Sequence, residues 1–137
     1  MRFEGRIAKD GKLWLAEIPA FDALTQGRTK REALEMAADL LETMANEPGF
    51  KITAYPAGPE TFEIGANRVR TLLALLLRRQ RERQGLTLAE AAERLGQSSP
   101  NAYARYEQGK SVPTVEKLEE LLAAIAPDQR IVWRFAA

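Results

Sequence analysis

Along its first nine residues the chain alternates: Phe3, Gly5 and Ile7 interleave with Arg2, Glu4 and Arg6. That period of two predicts a half-buried strand. Asp10-Gly11 predicts a hairpin turn, because both residues tolerate positive φ. KLWLAEI is the return strand, and Pro19 ends its pairing because it has no N–H to donate. A short third strand is expected around Leu24–Gln26, before Gly27. The period then changes. Thr29 and Glu32 have capping-box spacing, and Leu34, Ala37, Ala38, Leu41 and Met44 form one apolar helical stripe that Pro48-Gly49 stops. FKITAYP alternates again, TFEI predicts one more strand, and PAGPE between them reads as a turn or linker.

From about residue 66 the pattern is helical, broken by short turns. The first helix is expected over 67–84, ending at Gly85. Thr87 and Glu90 form a second capping box, opening a helix that Gly96 stops. Ser99-Pro100 predicts the start of a third helix, since proline wastes no N–H in a first turn; Gly109 ends it. Thr114 caps a fourth, with Leu118, Leu121, Leu122 and Ile125 facing inward. RIVWRF predicts a short closing strand. The expected organisation is α+β: a small β-β-β-α-β domain over residues 1–60, then an all-α domain over 66–137 with a C-terminal strand.

Charge sharpens this division. Residues 1–66 carry 8 basic and 11 acidic side chains, a net of −3, and residues 67–137 carry 12 and 8, a net of +4. Such asymmetry points to two domains with different partners. The 137 residues include no Cys and no His. Disulfides, thiolate chemistry and His-dependent catalysis are therefore excluded, and a reducing cytoplasm suits the chain. The start has no apolar signal segment, and the run Leu72–Leu77 is far below the ~20 residues that cross a bilayer. That run is too apolar all round for a helix covered on one side, so extra burial is expected for it.

The two short helices around Gly96 have helix-turn-helix spacing, in which the second helix enters a DNA major groove. Within SSPNAYARYEQGK, Tyr103 and Tyr106 can face a core while Ser98, Ser99, Asn101, Ala102 and Arg105 lie outward or at the start. Asn and Arg can bond adenine and guanine edges, and small residues permit close approach. Lys110 is placed for a phosphate. In the basic run RRQRER, Arg79 and Arg83 are further phosphate candidates, set against the plainer reading of a solvated helix face.

LLRRQRERQGLTLAEAAERLGQSSPNAYARYEQGKSVPTVEKLEELLAAI, residues 76–125, resembles the Cro/phage-repressor-like helix-turn-helix family. GLT, LAEAAERLG, ARYEQGK and the following PT carry the likeness. Leu88 departs from it, standing where many members have a Gln that contacts the DNA backbone. The first half resembles the HicB antitoxin family through WLAEIPAF, TQGRTKREALEMAADLLETM and the alternating strand that follows. This second resemblance implies a partial RNase H-like domain that masks a HicA-like toxin, an mRNA interferase. It also implies that the other domain binds double-stranded operator DNA and represses its own operon.

No cofactor or metal is expected, nor an enzyme. A nuclease would need converging carboxylates, whereas Glu4, Asp10, Glu17, Asp22, Glu32 and Glu42 are scattered. The competing function is a stand-alone transcriptional regulator whose first domain senses a ligand or protein. A homodimer or higher oligomer is expected, because one recognition helix covers a half-site.

Overall fold

The computed structural model describes all 137 residues. The chain forms two compact units, residues 1–76 and 77–137. Unit 1 is an antiparallel five-stranded sheet in the order β3-β2-β1-β5-β4. Its strands are β1 (Phe3–Asp10), β2 (Leu13–Ile18), β3 (Ala23–Gly27), β4 (Ile52–Pro56) and β5 (Thr61–Ala66). Helix α1 (Lys30–Ala45) packs on β2, β3 and β4.

The predicted alternation becomes one buried face. Ile7 lies opposite Ala16, and Phe3 opposite Ile64. Phe62 lies across Gly5, where any Cβ would collide with its ring. Gly27 is needed for a second close approach: a Cβ there would meet the backbone of α1 at Glu32 and Ala33. Phe21, in a single 3-10 turn over Pro19–Phe21, closes the core and meets Phe3 edge-on at 5.0 Å.

Local chemistry sets the ends of the elements. The first hairpin turns at Gly11-Lys12, with Asp10 still paired to Leu13, one residue later than Asp10-Gly11 predicts; Gly11 takes φ +61°. The Glu32 N–H donates to the Thr29 Oγ at 3.0 Å, which is half of the expected capping box. Helix α1 ends at Asn46, whose left-handed backbone stops it before Pro48-Gly49. PAGPE is the β4–β5 turn, held by Lys30 Nζ donating to the Pro59 carbonyl at 2.6 Å. Residues 61–65 lie between the two expected domains; as most of β5 they stand between β1 and β4. Glu47 accepts from Thr71 Oγ at 2.7 Å and from Arg68 at 2.9 Å. These bonds hold its carboxyl below the usual range.

Helix α2 (Val69–Arg83) contains the division between the units. Leu72–Leu77 are all buried within the chain. Helices α3 (Leu88–Arg94), α4 (Asn101–Glu107) and α5 (Val115–Ile125) complete unit 2. Its core holds Leu77, Ala91, Ala92, Tyr103, Leu118, Leu121 and Ile125.

The expected C-terminal strand is absent. Residues 130–137 adopt no regular structure and pair with none of the five strands. Their β-prone composition is not enough, because a strand needs a neighbour to take its N–H and C=O groups. No helix is long and apolar enough to cross a membrane.

Candidate nucleic-acid interface

Helices α3 and α4 form the helix-turn-helix pair, joined by residues 95–100. Thr87 opens α3 with a complete capping box: the Glu90 N–H donates to Thr87 Oγ, and the Thr87 N–H to Glu90 Oε1, both at 3.1 Å. These bonds hold the Glu90 carboxyl below its ordinary value. At the other end Gly96 takes φ +72°, which lets the chain reverse toward α4. The α4 helix begins at Asn101, one residue later than a Ser99 cap would start it. Ser99 still acts locally, its Oγ accepting from the Asn101 N–H at 3.3 Å.

The seven residues of α4 divide into two faces. Tyr103 is buried and the Glu107 side chain, four residues on, is 6% exposed; Asn101, Ala102, Arg105 and, just past the helix, Gln108 are exposed. Ser98, Ser99 and Lys110 are exposed beside them, so the structure brings six of the expected contact residues together at α4 and its flanks. Gln108 is a polar group that the sequence reading passed over. Its position three residues after Arg105 is the signal that marks the same helical face. Arg105 Nε donates to Ser111 Oγ at 3.4 Å, a long bond that leaves this exposed guanidinium near the end of α4.

Beneath that face lies an ion pair. Arg81 Nε donates to Glu107 Oε2 at 2.7 Å and Nη2 to Oε1 at 2.9 Å. Arg81 Nη1 also donates to the Leu86 carbonyl at 2.7 Å. One guanidinium thus ties the end of α2, the α2–α3 turn and α4 together. The bonds to Glu107 hold Arg81 firmly protonated. The Tyr103 hydroxyl is buried beside the pair, and burial raises its pKa far beyond the physiological range.

The two arginines singled out in the basic run lie on α2 and are paired with carboxylates. Arg83 donates to both carboxylate oxygens of Asp128, at 3.0 and 2.8 Å, and holds the Asp128 carboxyl below its usual value. Arg79 is one-fifth exposed and pairs with Glu82 at 3.2 Å. Arg81 carries the structural pair already described. No group of three or more acidic side chains is placed to hold a metal ion.

Residues 72–129 match the family model of a helix-turn-helix domain. A search of curated proteins found no match to the chain. The domain points to DNA binding and transcription regulation.

Proposed function

We propose that this protein is a HicB-type antitoxin that binds operator DNA through α4, represses its own operon, and masks a small HicA-like mRNA interferase with unit 1. The observation that carries the DNA half is the exposed face of α4. Asn101 and Arg105 have the donors and acceptors that base edges require, Ala102 allows close approach, and buried Tyr103 anchors the helix. Ser98, Ser99 and Lys110 flank it as backbone contacts. Arg79 and Arg83 are already paired with Glu82 and Asp128, which lessens the charge they offer a phosphate. In this reading the protein works as a homodimer, so that two recognition helices meet the two halves of a symmetric operator.

Arg105→Ala is expected to weaken operator binding by about 1–3 kcal/mol while affinity for unrelated DNA changes little. Titration of both duplexes at one salt concentration checks this. An equal loss on both would make Arg105 a phosphate contact and remove it from sequence reading.

The masking role has different support. The acidic excess of residues 1–66 includes the exposed Glu32, Glu35 and Asp39 of α1, with Met36 exposed among them. A basic RNA-binding surface is the complement of such a stripe. Co-expression with the adjacent reading frames, followed by identification of what co-purifies, tests it. A small basic protein that arrests growth alone and is silenced by this chain is the expected result. If no neighbour binds and none is toxic, unit 1 belongs to a stand-alone regulator instead.

A further inference from the structure

Unit 1 is acidic as a whole, yet its positive charge is gathered at one end of the sheet. The segments 9–12 and 28–31 hold five basic side chains and one acidic one, a net of +4. The other positions of residues 1–66 hold three basic and ten acidic side chains, a net of −7. Strand pairing makes the two basic segments neighbours. Lys9 on β1 lies opposite Trp14 on β2, and Trp14 lies opposite Gly27 at the end of β3. With strands about 4.8 Å apart, these three form one row across the sheet. Lys12 stands in the turn two residues before Trp14, and Arg28 follows Gly27. Lys30, at the start of α1, brings its Nζ to 5.8 Å from the centre of the Trp14 ring.

The five cations differ in what already holds them. Lys30 Nζ donates to the Pro59 carbonyl at 2.6 Å, and Arg31 pairs with Glu35 at 3.3 Å. Lys9, Lys12 and Arg28 are exposed, and their side chains have no partner within the chain. Beside them Trp14 is half-buried, so part of its indole meets solvent.

We propose that this end of unit 1 binds single-stranded nucleic acid, with phosphates on Lys9, Lys12 and Arg28 and a base against Trp14. A polyanion gains most from cations that have no carboxylate to give up, because each neutralised phosphate releases its counterions. An acidic protein segment could use the same cations but brings no planar group for the indole. An unstacked base does, and every base has such a face. In a duplex those faces are stacked inside, out of reach of an indole set on a sheet. The surface is distinct from α4 and rests on neither half of the proposed function. It also differs from the acidic stripe of α1, since these cations would repel a basic toxin.

The indole itself supplies the readout. The chain has two tryptophans, so Trp133→Phe leaves Trp14 as the only one. Titrating that full-length variant with an oligouridylate of about twelve nucleotides, within the usual site size of single-strand binders, should quench Trp14 emission to saturation. Three phosphate contacts on a single strand predict a slope of about −2 for log affinity against log salt, a roughly twenty-fold loss between about 50 and 200 mM. Lys9→Gln, Lys12→Gln and Arg28→Gln should each flatten the slope by about 0.7, and the triple variant should lose the quenching. Circular dichroism and the thermal transition of these variants should match the parent, because the three side chains are exposed and unpartnered. Arg105→Ala should leave quenching and slope unchanged, which separates this surface from α4. Trp14 emission that does not respond to the oligonucleotide, or a slope that survives all three substitutions, overturns the proposal. Equal quenching by an oligoglutamate of the same length overturns it in favour of an acidic protein partner.

Discussion

Replacing Glu107 with alanine is expected to cost unit 2 about 3–5 kcal/mol, a large part of the stability of so small a unit. The Glu107 side chain is 6% exposed and that of Arg81 14%. Removing the carboxylate leaves a guanidinium largely cut off from water, with only the Leu86 carbonyl to satisfy it. The cost is that of an unpaired buried charge, which differs from the worth of the pair itself. Replacing both partners, Arg81→Met with Glu107→Leu, removes charge and counter-charge together and should recover most of the loss. Urea unfolding followed by far-UV circular dichroism reads both variants. A Glu107→Ala variant that loses less than about 1 kcal/mol would show that water reaches Arg81 and that the pair acts as a surface one. Because Glu107 shares α4 with Arg105, DNA affinity should fall with the stability of the helix, independently of any contact with a base.

Phe62→Ala should destabilise unit 1 by about 3–5 kcal/mol, the range for deleting a fully buried aromatic side chain. Phe62 has no exposed surface and lies over Gly5 on the neighbouring strand. The same contact makes Gly5→Ala costly, by about 1–3 kcal/mol, since the new methyl group collides with the ring. The two effects are coupled. With Phe62 already reduced to alanine, the Gly5→Ala methyl enters the vacated space. Its cost should fall by more than about 0.5 kcal/mol, beyond the additivity expected of independent sites. Trp14, half-buried on β2 with Lys30 Nζ 5.8 Å from its ring, gives a fluorescence signal for unit 1. Strict additivity of the two substitutions would mean that the sheet separates β1 from β5 to admit the methyl.

The outer face of the sheet shows how like charges are accommodated. Glu4 and Glu63 stand directly opposite each other on β1 and β5. Arg2 pairs with Glu63 at 3.2 Å and lies 3.6 Å from the centre of the Tyr55 ring, while Arg6 stands opposite Glu17. Opposite charges and a cation–π contact offset the like-charge pair. Of these carboxylates Glu4 and Glu17 are exposed and Glu63 is half-buried.

Much of this architecture was legible in the sequence, because it rests on local physics. Period-two alternation, the Thr87–Glu90 spacing, Thr114 and the glycines at 96 and 109 place elements through bonds between residues a few positions apart. The outward set of α4 was legible for the same reason: helical geometry alone puts Asn101 and Arg105, each two residues from Tyr103, on the opposite side of the helix, with Ala102 beside them. What only the tertiary structure decided depends on residues far apart in the chain. No local pattern distinguishes Arg81 from Arg79 or Arg83 in RRQRER; the difference is that Glu107, 26 residues on, meets one of them. Asp128, 45 residues on, meets another. The placement of β5 between β1 and β4, and of Phe62 over Gly5, depends likewise on long-range pairing that a linear pattern does not encode. The segment 130–137 shows the converse. Its residues favour a strand, but a strand exists only where another chain segment completes its hydrogen bonds, and this fold brings none to it.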